Sequence, residues 1–292
     1  MSVRSPARLG ALSTLLALGL LGCAHSGAPE RAAALPAGAK YVAMGSSFAA
    51  GPGVTTLADS PPNRCGRSAD NYPRQLARRR GLALTDVSCG GATTKHLLGP
   101  WGELPPQLDA VDADTRLVTI TIGGNDLGYI AGLMIGACRQ LAIDAADSAA
   151  AARCPPAPAP TEQSFADVEA RMRSIAAEVR RRAPAARLVF VDYPSVLPPQ
   201  GTCAATPLTP AQADASREVA RRLSEITRRV AKESGAGFVA ASELSVGHDA
   251  CAGAAAWMHG FARPGAPIDG VAYHPNLAGM TAVAEALDRA LR

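Results

Sequence analysis

The sequence lacks an excess of one charge, zinc-binding motifs and internal repeats. Over 292 residues the formal net charge is only +4, and no dense run of lysine and arginine occurs, which argues against a nucleic-acid partner. The seven cysteines and five histidines show no Cys-x-x-Cys or Cys/His spacing of the zinc type. We therefore expect no metal and no cofactor. The length allows one large domain or two small ones.

The apolar run at the amino terminus, residues 9–21, is too short for a comfortable membrane span. It follows two arginines, as the apolar region of a secretory signal follows its basic region. Leu20-Leu21-Gly22-Cys23 resembles the lipobox of bacterial lipoproteins, in which cleavage leaves a lipid-modified Cys23. The alternative is an ordinary signal peptide that happens to contain a cysteine. We favour a lipoprotein signal peptide over 1–22, and hence an exported cell-envelope protein anchored at Cys23 rather than a secreted or periplasmic one.

Residues 23–39 are rich in alanine, glycine and proline, which predicts a flexible tether before a folded domain over 40–292. Strands and helices alternate in that domain, which favours a three-layer α/β/α fold with a mostly parallel central sheet. After the first strand, which ends at Gly45, the predicted strands span 82–87, 116–122, 188–193 and 237–241. The predicted helices span 71–80, 165–182 with Ser164 as N-cap, 210–234, and about 277–291 with Asn276 as N-cap. Residues 129–160 are interpreted as an insertion over the sheet.

Six cysteines remain if Cys23 carries lipid, and an exported protein can pair them. Six cysteines allow fifteen connectivities, so the sequence alone does not choose among them. Pairing in sequence order is the simplest, because each bridge would then staple one loop near the end of a strand. The predicted bridges are Cys65–Cys89, Cys138–Cys154 and Cys203–Cys251.

Three strand ends carry small or polar residues: Gly45-Ser46-Ser47, Gly90-Gly91-Ala92-Thr93 and Gly123-Gly124-Asn125-Asp126. In a parallel sheet they lie along one rim, where ligands bind. Tyr273-His274-Pro275-Asn276 supplies a histidine that can reach this rim. A serine with a histidine base and oxyanion donors is the equipment of nucleophilic catalysis. The simpler alternative is that Ser46 or Ser47 only caps a helix.

These four blocks occur in the order found in the SGNH/GDSL hydrolase family, with Cys65-Gly66-Arg67-Ser68 and Tyr72-Pro73 between the first two. The chain resembles the secreted, three-disulfide esterase/lipase branch of that family over residues 40–292. The resemblance implies a flavodoxin-like sheet. It implies these roles: Ser47 as nucleophile, His274 as general base, and the Gly91 N–H and Asn125 amide as oxyanion donors.

The sequence departs from the family pattern at two positions. Ser46 replaces the aspartate before the nucleophile, and Val271 replaces the aspartate three residues before the histidine. The nearest acid to His274 on this side is Asp269. A catalytic histidine needs an acceptor on Nδ1–H, and we expect the Val271 carbonyl rather than Asp269 to supply it, giving a Ser-His dyad.

Each candidate also has a structural interpretation. Gly91 would serve a tight turn and Asn125 a helix cap, and Asp126 is expected to be structural. The segment 129–160 fits equally the wall of a substrate cleft and a solvated lid. The remaining histidines, expected in loops or at the surface with only His259 a weak candidate for an acyl pocket, are His25, His96, His248 and His259.

The resemblance implies a serine esterase or lipase that hydrolyses carboxylic esters through an acyl-enzyme. We expect an ester or lipid substrate, contact with a membrane only through the lipid on Cys23, and a monomer. Two alternatives stay open at this point. One is a carbohydrate or peptidoglycan O-deacetylase, and the other is a catalytically silent lipoprotein that keeps the fold for binding.

Overall fold

The computed structural model describes residues 1–3, 34–262 and 269–292. Cys23, the signal peptide from residue 4 onward and most of the tether lie outside the described residues. Across the described ranges, no helix is long and apolar enough to cross a membrane.

A five-stranded sheet with all neighbours parallel forms the centre of the domain. Its spatial order is β2-β1-β3-β4-β5, the order of flavodoxin-like folds, whose ligands bind at the switch point beside β1 and β3. The predicted fold class is thus confirmed. The strands are β1 Lys40–Gly45, β2 Ala83–Asp86, β3 Thr115–Thr121, β4 Arg187–Val191 and β5 Gly237–Val239.

The central strands are buried on both faces, as a sheet covered by helices on each side requires. Along β1, Val42 and Met44 pack into one hydrophobic cluster, and the alternate residues Tyr41 and Ala43 pack into another. This alternation explains why the strand reads as a continuous apolar run.

The four predicted helices agree with the structure to within one residue at each end, except at one start. The long helix predicted with Ser164 as N-cap begins earlier, at Glu162, with Thr161 as N-cap. Ser164 is instead the third helical residue, and it pairs with Thr161 in a capping box. The helices are α1 Ser47–Ala50, α2 Tyr72–Arg80, α3 Thr94–Leu98, α4 Tyr129–Asp144, α5 Ser148–Arg153, α6 Glu162–Arg182, α7 Pro210–Glu233, α8 Ala241–Leu244 and α9 Leu277–Ala290.

The segment 129–160 contributes α4 and α5, and the Cys138–Cys154 disulfide joins α4 to the residue that follows α5. Helix α4 packs against α7, and its Leu133 and Ala137 are buried in the same cluster as residues of β3. The other two disulfides join Cys65 to Cys89 and Cys203 to Cys251. All three pairings follow the predicted sequence order, and such bridges are typical of exported proteins.

Candidate active site

Ser47 and His274 meet at the carboxyl end of β1, although 227 residues separate them in the chain. Ser47 is the first residue of the one-turn helix α1, and His274 lies just before α9. The Oγ of Ser47 is 2.8 Å from the Nε2 of His274. Both residues are only 7% exposed, so the pair is largely shielded from water.

The other ring nitrogen of His274 fixes the tautomer. Nδ1 lies 2.9 Å from the carbonyl oxygen of Ala272. Because a carbonyl can only accept, Nδ1 carries the hydrogen of the neutral ring and Nε2 is left to accept from the Ser47 hydroxyl.

The prediction that the Val271 carbonyl would orient His274 was wrong by one residue. That carbonyl accepts from the backbone N–H of His274 at 3.1 Å, which closes a turn before the histidine. Tyr273 within this turn has a φ of 59°, and the turn directs the carbonyl of Ala272 toward the ring. The acceptor on Nδ1 is thus neutral, and it is neither Val271 nor the exposed Asp269.

Burial lowers the pKa of His274 below its usual value. The hydrogen bond to Ala272 acts in the opposite direction, whereas nearby His259 lowers the pKa further. At neutral pH the imidazole is therefore uncharged, which is the state a general base requires.

The second and third blocks meet beside this pair. Asn125 Nδ2 donates to the carbonyl of Ala92 at 2.9 Å, so the side chain reaches the residue next to Gly91. Asp126 accepts from the backbone N–H of Thr94 at 2.9 Å and from its hydroxyl at 2.5 Å. Asp126 therefore ties the two loops together, in line with its expected structural role.

Gln107 contacts the strand that leads to Ser47, and no sequence pattern predicts this contact. Its side-chain oxygen accepts from the backbone N–H of Gly45 at 2.7 Å, and its Nε2 donates to the Gly45 carbonyl at 3.0 Å. Strand β2 pairs with β1 only as far as Ala43, so this buried amide replaces a strand partner two residues before Ser47. It lies in a 3-10 turn, Gln107–Ala110, far from any recognisable motif.

Aromatic side chains pack around the same turn. Phe48 lies between Tyr193 and His274, with ring centroids 4.6 Å and 5.2 Å away. The Tyr193 hydroxyl is 3.0 Å from the Oγ of Ser46. Ser46 occupies the N-cap position of α1 but makes no side-chain capping bond there. Neither serine is therefore only a helix cap.

Other histidines have structural contacts. His96 accepts from the backbone N–H of Thr93 at 3.1 Å and stacks on Trp101. His248 stacks on Trp257. His259 pairs with the segment that carries His274, through main-chain bonds of 2.9 and 3.0 Å. His25 lies outside the described residues.

Comparison with known proteins agrees with this geometry. The model of the GDSL-like Lipase/Acylhydrolase family matches residues 43–282. Lipase 2 of Streptomyces coelicolor is 34% identical over 287 residues, which cover 96% of this chain and 93% of that lipase.

Two solved structures share the whole fold. Phospholipase A1 from Streptomyces albidoflavus superposes with a TM-score of 0.68 at 28% identity, covering 87% of this chain and 99% of the other. An extracellular lipase from Streptomyces rimosus gives a TM-score of 0.67 at 28% identity, covering 86% and 99%. The chain therefore belongs to the GDSL-like lipase/acylhydrolase family and is a serine hydrolase that acts on carboxylic esters.

Proposed function

We propose that Ser47 is the nucleophile and His274 the general base of a lipid-ester hydrolase. The observation that carries this proposal is the 2.8 Å contact between Ser47 Oγ and His274 Nε2, with Nδ1 held by Ala272. A serine hydroxyl is a weak nucleophile until an adjacent base takes its proton. The tautomer fixed by Ala272 leaves Nε2 free for that proton.

The reaction proceeds in two halves. Ser47 Oγ bonds to the ester carbonyl carbon while its proton passes to Nε2 of His274. When the tetrahedral intermediate collapses, the alcohol leaves with that proton and the acyl group remains on Ser47. Water then attacks the acyl-enzyme with the same proton transfers, which releases the acid and restores both side chains.

The negative oxygen of each intermediate needs hydrogen-bond donors. We assign this role to the Gly91 N–H and the side-chain amide of Asn125. Asn125 Nδ2 has two hydrogens, and the bond to Ala92 uses one of them and fixes the plane of the amide. The second hydrogen is available to the oxyanion, and each such donor contributes roughly 3–4 kcal/mol to transition-state stabilisation.

The first test is Ser47→Ala beside Ser46→Ala. Deleting a nucleophilic serine costs about a millionfold in turnover in a serine protease, so Ser47→Ala should lose nearly all activity. Ser46→Ala should cost far less. After reaction with a fluorophosphonate probe, mass spectrometry should place the label on Ser47. A label on Ser46, or an active Ser47→Ala variant, would contradict the assignment.

Lipid esters are the proposed substrates because the similar proteins are named lipases and a phospholipase A1. Three disulfides and a secretory signal support export. The finer proposal is that Cys23 carries a lipid and anchors the enzyme to the cell envelope, with residues 24–39 as a tether.

The anchor is tested by Cys23→Ala in the full-length chain. Without a thiol to modify, the protein should leave the membrane fraction or stay unprocessed, whereas the unchanged chain should fractionate with membranes and carry the mass of its lipid. Membrane association of an unlipidated mature form would disprove the anchor and leave the enzymatic proposal intact.

A further inference from the structure

The hydroxyl of Tyr193, just beyond the end of β4, joins two parts of the active site. It accepts from the backbone N–H of Gly124 at 3.0 Å and lies 3.0 Å from Ser46 Oγ. A hydroxyl can donate one hydrogen bond and accept two, so Tyr193 can accept from Gly124 and still bond Ser46 in either direction. Gly124 precedes Asn125 and Ser46 precedes Ser47. One hydroxyl thus connects the neighbours of the oxyanion donor and of the nucleophile.

The tyrosine ring is fixed in place by its surroundings. Its side chain is buried, packs against the tilted ring of Phe48 and makes an edge contact with Tyr129. A Cβ on Gly124 would lie 2.8 Å from Cζ of Tyr193, so only glycine fits beneath the ring. Burial raises the pKa of Tyr193 to about 12, and the hydroxyl therefore keeps its hydrogen at neutral pH.

Ser46 is arranged to bond the tyrosine hydroxyl. Its backbone N–H donates to the carbonyl of Thr121 at 2.9 Å, which fixes the turn from the sheet side. Its side chain makes no bond to the helix it precedes.

We propose that Tyr193 is a positioning residue that holds the Ser47 turn and the Asn125 loop in register for catalysis. The inference rests on the roles proposed above for Ser47 and Asn125. Misplacement of catalytic groups by about 1 Å can cost about a hundredfold in rate. A bridge that fixes the nucleophile relative to an oxyanion donor should therefore act on turnover more than on substrate binding.

The experiment is Tyr193→Phe, which removes one oxygen atom and keeps the ring. We expect kcat to fall about ten- to a hundredfold while KM stays within about threefold, and fluorophosphonate labelling of Ser47 to slow in parallel. Tyr41→Phe is the matched control. Tyr41 is fully buried, and its hydroxyl bonds Thr119 at 2.7 Å inside the sheet. This variant should lose a similar amount of thermal stability but keep its kcat.

Ser46→Ala separates a bridge from a general packing effect. It breaks one arm of the bridge and leaves the Gly124 contact in place, so it should lose less kcat than Tyr193→Phe. The double variant should fall no more than about threefold below Tyr193→Phe, because contacts that act as a unit are not additive. These comparisons use the thermal midpoint of each variant to confirm that it is folded.

Three results would overturn the bridge: an unchanged kcat in Tyr193→Phe, equal losses of kcat in Tyr193→Phe and Tyr41→Phe, or fully multiplicative effects in the double variant. If Tyr193→Phe does not fold, an unchanged kcat in Ser46→Ala also rejects it. Activity that persists in Ser47→Ala would instead reject the proposed nucleophile.

Discussion

The turn before Ser47 and the turn before His274 form the two sides of one hydrogen bond, and they are held in different ways. On the serine side, the contacts come from side chains of distant segments: Gln107 pairs with both backbone groups of Gly45, and Tyr193 reaches Ser46. On the histidine side, the contacts are mainly between backbone groups. His274 and Tyr273 pair with the backbone of His259, and the N–H of His274 closes onto Val271.

The difference determines where each side is sensitive to substitution. A side-chain contact can be deleted by one change of residue type, so the position of Ser47 depends on the identities of Gln107 and Tyr193. Backbone pairing survives most substitutions, and the histidine depends mainly on the shape of its turn. Gly270, with a φ of 73°, lies against the His259 ring. We therefore expect the serine side to respond strongly to single substitutions and the histidine side to tolerate loss of a nearby charge.

Among the substitutions that test this contrast, Gln107→Leu should have the largest effect. It keeps the bulk of the side chain and removes the amide. The Gly45 carbonyl also accepts from the backbone N–H of Cys89, but the Gly45 N–H would lose its partner. One unsatisfied buried group costs about 1–3 kcal/mol in the free energy of unfolding. Because the freed turn carries Ser47, kcat should also fall by about ten- to a hundredfold.

Gln75→Leu is the matched control for this prediction. Gln75 is also buried in α2, and its Nε2 donates at 2.7 Å to the carbonyl of Asp70, just before that helix. It should reduce stability without reducing kcat. Equal kcat in the two variants would mean that the amide of Gln107 supports the fold and not the nucleophile, and the contrast between the two sides would fail.

The same contrast marks what the sequence could predict. Ser47 follows an apolar run and Asn125 a β-branched one, so their place at one rim follows from strand pattern alone. His274 was predictable because a proline and an N-cap follow it. Gln107 contacts Gly45 across 62 residues and Tyr193 contacts Ser46 across 147, and no periodicity encodes such contacts. The choice between Ala272 and Val271 depends on the turn at Tyr273. That residue has a positive φ, which tyrosine rarely adopts, so the sequence does not indicate the turn.

The fall of kcat/KM at acid pH, the acid limb of the pH profile, should report protonation of His274. Since burial lowers the pKa of His274, the midpoint of the acid fall in kcat/KM should lie below the ordinary pKa of histidine, about 6.5. One unit below the pKa in the free enzyme, about a tenth of the activity remains. Gln107→Leu should lower the plateau without moving this limb. A limb at or above pH 7 in kcat/KM would indicate a carboxylate beside the imidazolium and would contradict the neutral Ala272 contact.

The smallest effect is expected from Asp269→Asn, which keeps the shape of the side chain and removes its charge. If Asp269 completed a triad, the substitution would cost about ten-thousandfold in turnover, as loss of the triad aspartate does in serine proteases. Because the carbonyl of Ala272 already accepts from Nδ1, we expect a loss of kcat below about tenfold, equivalent to about 1.4 kcal/mol in the barrier. The measurement is kcat on one ester at saturating concentration, beside Gln107→Leu. A greater loss in Asp269→Asn than in Gln107→Leu would reverse the order of the two sides and show that a charge, and not the turn alone, orients His274.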